Sequence, residues 1–198
     1  EATSGSIRTL PAFEIKGQTT SVPVKLAPYE SVFVVFREKA KKGNLTDIQD
    51  NYPAPNVIED LKGPWSVSFD PAFRGPAEPV IFETLHDWTT SSDESIKYYA
   101  GTAHYKIKFS MPESKENKAV EIDLGNLTAM AKVSVNGSYA GGVWTYPYKL
   151  DISDFVEPGE NELEIEVVNN WMNRLIGDQQ LPEAQRKTWC FVNPYNAK

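Results

Sequence analysis

Two short sets of side chains in this sequence have the types and spacing of a sugar contact. Trp144, Tyr146 and Tyr148 alternate along the chain just after a Gly141-Gly142 pair. Asn170, Trp171, Asn173 and Arg174 come directly after a strand-like run. Aromatic faces cover the apolar C–H side of a pyranose, while planar amide and guanidinium groups hydrogen-bond its hydroxyls. Arg174 adds a planar fork of donors suited to a uronic acid carboxylate or to paired hydroxyls. The competing reading is a polar network that holds the C-terminal segment in place, with Arg174 paired to Asp178. The remaining aromatics read mostly as core. Trp65 and Phe69 share a strand face, and Trp88 after Asp87 either seals the core edge or lines a cleft.

Catalytic chemistry is harder to find. Carboxylates are plentiful, and a glycosidase needs a raised-pKa acid facing a second carboxylate. Glu162, Glu164 and Glu166, however, alternate on one face of a strand-like run and should project into water with ordinary pKa values. His86 and His104 are the only histidines, and His104 sits mid-strand between Ala103 and Tyr105. No Gly-x-Ser-x-Gly elbow, His-x-x-x-His pair or Gly-rich phosphate loop occurs. No catalytic residue is nominated. The single cysteine, Cys190, rules out an internal disulfide framework and any multi-cysteine metal site; beside Trp189 and Phe191 it reads as a small buried hydrophobe. No metal ligands or cofactor are expected, and no sequence feature indicates a structural calcium ion, which such a fold could hold.

Composition is that of an ordinary globular domain. The chain has 198 residues, 40% of them apolar and 24% charged, which is long enough for a proper core and too apolar for disorder. A formal net charge of −7 argues against a nucleic-acid face. A neutral glycan fits better. No apolar run approaches the ~18 residues of a membrane span. The opening Glu1-Ala2-Thr3-Ser4-Gly5 is polar and small and does not read as a signal peptide. Sequons occur at Asn44, Asn126 and Asn136; at Asn136 a turn role takes precedence.

The elements that must position these residues are strands. Val133 and Val135 alternate with polar neighbours, and Asn136-Gly137 supplies the positive-φ pair of a tight hairpin. Leu163, Ile165 and Val167 alternate with Glu162, Glu164 and Glu166 after the turn Glu157-Pro158-Gly159-Glu160-Asn161. Further strands are expected at 65–69, 80–85, 99–109, 120–124 and 139–143. With the two alternating runs they make seven, close to the eight of a jelly roll. Helix is scarce, its best candidate being one turn near Pro182-Glu183-Ala184-Gln185-Arg186.

These strands and turns also carry a family resemblance. Val135-Asn136-Gly137, Gly141-Gly142, Tyr148-Lys149-Leu150-Asp151-Ile152-Ser153 and Gly159-Glu160-Asn161-Glu162-Leu163-Glu164-Ile165 resemble, in order and spacing, the sugar-binding jelly-roll domain of family-two glycoside hydrolases. Gly63-Pro64-Trp65-Ser66-Val67-Ser68-Phe69 matches that family's entry strand. The tail from Asn170 to Asp178, with Leu181-Pro182-Glu183 and Arg186-Lys187-Thr188-Trp189, is similar to the C-terminal jelly roll of large bacterial α-L-rhamnosidase-like hydrolases. The resemblance covers roughly residues 57 to 192. It implies an all-β, galactose-binding-like jelly-roll sandwich that brings 144–148 and 170–174 close together. It also implies that catalytic carboxylates lie on a separate domain of the same parent chain.

Residues 1–40 read as a β segment from the end of a preceding sandwich, with strands at 7–10, 19–26 and 31–36. The run Leu26 to Phe36 resembles such a closing strand, and its apolar residues on both faces demand cover on both. Residues 41–56, charged and then Pro-rich, read as a linker, and 57–198 as the jelly roll. Three functions are open: a non-catalytic carbohydrate-binding module of a secreted bacterial glycoside hydrolase acting on plant or host polysaccharide, a purely structural buttress of the catalytic domain, or a cell-surface protein-interaction sandwich. All three place the chain in the periplasm, on the cell surface or outside the cell.

Overall fold

The computed structural model describes residues 5, 7–28, 30–37, 39, 50–113 and 119–188. The chain divides into two compact units, Glu1–Val57 and Ile58–Lys198.

In the first unit, β1 (Glu14–Lys16) and β2 (Thr19–Ser21) form an antiparallel hairpin, with Gly17 at φ 62 taking a turn position that favours glycine. Of the three strands expected here, only the start of 19–26 pairs. Residues 7–10 and 31–36 join no ladder among the described residues. Phe33, Val35 and Phe36 stay exposed, at 83%, 68% and 68%. A two-stranded ribbon has no second layer, so it cannot cover a strand that is apolar on both faces. Asn51, inside the stretch expected to be a linker, is buried. Its Oδ1 accepts from Ala12 N (2.7 Å), and its Nδ2 donates to Ala12 O (2.8 Å) and Pro23 O (3.2 Å). One side chain thereby ties the 50–52 turn to the hairpin. Arg8 reinforces it, donating to Asn51 O and lying 4.5 Å from the centre of the Tyr52 ring.

The second unit is the expected sandwich. Its strands are β3 (Trp65–Phe69), β4 (Val80–Phe82), β5 (Thr102–Met111), β6 (Glu121–Asp123), β7 (Met130–Val135), β8 (Ser138–Val143), β9 (Lys149–Asp151) and β10 (Gly159–Val168). Six of them form an antiparallel sheet in the order β4-β3-β5-β10-β7-β8, and β6 pairs with β9 in a second. The ten-residue β10 is central. Leu163 lies opposite Ile107 and Val135, Ile165 opposite Tyr105 and Val133, and Val167 opposite Ala103 and Ala131. These rows point to one face, as the period-2 pattern requires. They meet Ile122 and Leu150 of the small sheet together with Trp88, Ile96, Tyr99, Ile152 and Val156. Trp88 seals the core: it is 8% exposed, and its Nε1 donates to the Tyr105 hydroxyl. Burial pushes that hydroxyl's pKa up to about 12, the hydrogen bond from Trp88 opposing the shift.

On the other face, the acidic stripe of β10 is not merely solvated. Glu164 bridges Lys106 (2.9 Å) and His104 (3.3 Å), and Glu166 pairs with Lys132 at 3.3 Å. The Lys106 hydrogen bond holds the Glu164 carboxyl below its ordinary range against a smaller opposing desolvation, with His104 helping. The expectation of an unperturbed Glu164 is corrected. Alternation places the residue on the outer face, but only cross-strand register brings Lys106 opposite it.

Two asparagines lock the hairpins together. Asn136 and Gly137 take φ 51 and 77, the expected turn pair. Asn136 also donates from Nδ2 to Phe155 O and Asn161 Oδ1, and accepts at Oδ1 from Glu162 N. Asn161, 1% exposed, accepts from Glu157 N and donates to Glu157 O and Gly159 O. Both asparagines of the recurrent motif therefore fasten the β7–β8 turn to the entry of β10.

Val135→Asp places an unpaired charge in the fully buried row and should abolish cooperative folding of the second unit in urea melts. Glu164→Ala, which breaks only partly exposed pairs, should cost under about 1 kcal/mol. Asn161→Ala leaves several buried backbone groups unsatisfied and should cost about 2–3 kcal/mol.

Candidate functional site

Sheet register gathers several loops at one end of the main sheet. Phe69 lies opposite Ala103, Val168 opposite both Thr102 and Met130, and Ala131 opposite Val143. The exits of β3, β8 and β10 and the entries of β5 and β7 therefore share one edge. Asn169 fixes the β10 exit: its Oδ1 accepts from Gly101 N, and its Nδ2 donates to Tyr99 O, both at 2.9 Å.

A one-turn helix, α1 (Glu94–Lys97), precedes β5, and beyond the β10 exit runs α2 (Met172–Gln179), a helix that the residue pattern does not announce. The segment is short, polar and interrupted by Gly177, all of which weaken a helical signal. Gly177 is there for close approach, because a Cβ at that position would stand 2.6 Å from Tyr98 Cβ. Asn170 has a local role, its Oδ1 accepting from Met172 N at 3.0 Å. The one-turn helix expected near 182–186 is present as Glu183–Gln185.

Asp178 holds the structures around α2 together. It is 2% exposed, and its Oδ2 accepts from Lys187 N (2.8 Å), Thr188 N (2.7 Å) and Thr188 Oγ1 (2.8 Å). Its Oδ1 lies 2.9 Å from Arg174 Nε and 3.9 Å from Arg74 Nη1. The Arg174 N–H does not point at that oxygen, so the contact is an ion pair without an aligned hydrogen bond. Burial alone would raise the Asp178 pKa. The hydrogen bonds from Thr188 and Lys187 and the charge of Arg174 outweigh it and hold the carboxyl below its ordinary value. Arg74 also donates to Gln185 O, tying the turn after β3 to the tail.

Against this lock lies a shallow pocket of about 140 Å³, lined by Ala72, Phe73, Ala100, Trp171, Arg174, Lys187 and Thr188. Trp171 is 63% exposed and Arg174 8%. Trp171 and Arg174 of the candidate set therefore line one pocket, with Asn170 and Asn173 in the flanking turn and helix. Trp144 and Tyr146, 68% and 54% exposed, stand beyond β8 at the same end, and β7 runs between β8 and β10. Tyr148 packs edge-on against Tyr146 at 6.3 Å and rests on the core. None of these three lines the pocket. The paired reading of Arg174 and Asp178 is also present, so Arg174 serves the lock and the pocket wall at once.

Phe73, Ala100 and Lys187 are wall residues that the sequence does not single out. No local periodicity links residues 72–74 with 185–188, which only the tertiary fold brings together. His86 stacks on Phe82, its ring 4.3 Å away, and His104 belongs to the outer-face ion cluster. Among the described residues, no group of three or more His, Cys, Asp or Glu side chains converges on a metal geometry.

Fold and strand-end pocket together define a galactose-binding-like β-sandwich domain. The family model described as glycosyl hydrolase 2 galactose-binding domain-like matches residues 86–195, more than half of the sequence, and the chain belongs to that family. It is 41% identical over 130 residues to a Formosa agariphila protein named "Putative beta-glucuronidase", covering 64% of this chain and 11% of that protein. Among solved structures it is similar to the rhamnosidase from Novosphingobium sp. PP1Y, at 38% identity and a TM-score of 0.78, over 90% of this chain and 16% of that one. The Ruminococcus gnavus beta-glucuronidase matches at 25% identity and a TM-score of 0.50, over 60% of this chain and 23% of that one. The chain thus spans less than a quarter of the length of each of these relatives.

Asp178→Asn should lower stability at pH 7 by about 3 kcal/mol, because Arg174 and Arg74 lose their buried counter-charge. The folded Asp178 pKa is depressed, so its contribution is complete above the unfolded value of about 3.9 and is lost as pH falls below it. Urea midpoints should therefore fall between pH 5 and pH 2 more steeply in the parent chain than in Asp178→Asn.

Proposed function

We propose that this chain is a non-catalytic, carbohydrate-contacting accessory sandwich of a longer bacterial glycoside hydrolase that works on plant or host polysaccharide in the periplasm, on the cell surface or outside the cell. One observation carries the reading: Trp171 stands exposed in the wall of a pocket that also holds a guanidinium, and Trp144 stands exposed on a loop at the same end of the sheet. Loops on a rigid scaffold are where recognition residues gather, and an exposed indole contributes nothing to the core. The names of the relatives, a rhamnosidase and beta-glucuronidases, support a glycan as the ligand and a hydrolase as the parent protein. The catalytic domain of the same parent chain is the second partner.

A buttress is the competing function, and Asp178 favours it, since a buried carboxylate that fastens residues 187 and 188 serves rigidity rather than recognition. Titration of the labelled chain with α-L-rhamnosides and oligogalacturonides, followed by NMR, separates the two. Binding near millimolar, about 4 kcal/mol, with shifts at the Trp171 or Trp144 indoles, is the expected result. Silence with every glycan, combined with loss of parent hydrolase stability when the sandwich is deleted, identifies a buttress.

A further inference from the structure

The pocket beside α2 carries a charge pattern at odds with the rest of the chain. The protein is acidic, at −7, yet three cations stand around this pocket: Arg174 and Lys187 in its wall, and Arg74 on the neighbouring turn. Two anions adjoin them: Asp178, whose Oδ2 is already taken by three donors and whose Oδ1 faces Arg174 and Arg74, and Asp70, whose Oδ1 is taken by Ala72 N.

Arg174 adds a second, independent observation. It is more than nine-tenths buried, and a guanidinium has five donors to place. Its Nε points past Asp178 without an aligned bond. Among the described residues, no hydrogen-bond acceptor meets its two terminal nitrogens. The terminal nitrogens, unlike Nε, are not sealed from solvent, so they stay within reach of a ligand that brings a planar pair of oxygens to the pocket. Phe73 and Trp171 supply the apolar part of the same wall, 51% and 63% exposed. Cations with exposed aromatic faces in so small a pocket suit one sugar ring bearing a carboxylate.

We propose that this pocket binds a single uronate residue, its carboxylate held by Arg174 and Lys187 and its ring resting on Trp171. The proposal rests on the carbohydrate-contacting reading above and assigns it a ligand class and one location. It excludes the Trp144–Tyr148 side as the acidic-sugar site.

The test is calorimetric and NMR titration of the 198-residue chain with methyl glycosides of glucuronate and galacturonate, against those of glucose, galactose and 6-sulfated galactose. Uronates should bind at least tenfold more tightly than the neutral sugars and more tightly than the sulfated one, and should weaken as salt rises. Lys187→Met keeps the backbone N–H that Asp178 uses, and Trp171→Ala removes an exposed ring, so both should fold with unchanged urea midpoints. Each should lower uronate affinity at least tenfold. Lys108→Met, which removes the same charge from the outer sheet face, should leave it unchanged. Equal affinity for uronate, sulfated and neutral sugars, or shifts confined to 144–148, overturns the uronate site while the carbohydrate-contacting function stands. Absence of binding by any glycan overturns both.

Discussion

Everything in the second unit depends on the register of β10. Ten residues pair on one side with β5 and for six of them on the other with β7. Because side chains alternate, a slip of one residue would turn Leu163, Ile165 and Val167 to water and bury three glutamates. Burying each large aliphatic side chain is worth about 1.5–3 kcal/mol, which outweighs exposed ion pairs such as Lys108–Glu160 that water and salt screen. The apolar face therefore chooses the register, and the ion pairs form where it puts them. Asn136 and Asn161 add a stop at the strand's start, where their hydrogen bonds fit only one alignment of hairpin and strand.

That register also brings the loops of the candidate site to one edge. With β3, β5, β7, β8 and β10 ending in line, the segments 70–74, 98–101 and 169–174 become neighbours. The sheet alone does not shape a pocket there. Asp178 does, by drawing residues 187 and 188 onto α2 and holding Arg174 and Arg74 beside them. The same carboxylate that fastens the tail leaves Arg174 underused, so structural and recognition roles meet in one side chain. A buried guanidinium held by a single misaligned ion pair is an expensive arrangement unless something else completes it.

The first unit behaves differently. Its hairpin is anchored by Asn51 through three hydrogen bonds to backbone at residues 12 and 23, while Phe33, Val35 and Phe36 are left in water. The pattern of 32–36 is that of a strand covered on both faces, and the two-stranded ribbon has no layers to cover it with. Local sequence can demand burial, but only neighbouring structure can satisfy it.

By itself the sequence determined the features that backbone periodicity and turn chemistry control. The alternation in 105–109, 133–135 and 163–167, the Asn136-Gly137 turn and the spacing of the motif asparagines were enough for the sandwich and its family. They were also enough to nominate Trp171 and Arg174, because aromatic and guanidinium groups placed after a strand end are visible in one dimension. Tertiary structure decided the rest. It made a helix of 172–179, turned Glu164 from a solvated carboxylate into an ion pair, kept Trp144 out of the pocket, and brought Phe73 and Lys187 in. The reason is separation along the chain: Arg74 and Gln185 bond across 111 positions, and no residue pattern of period two or 3.6 encodes a contact at that distance.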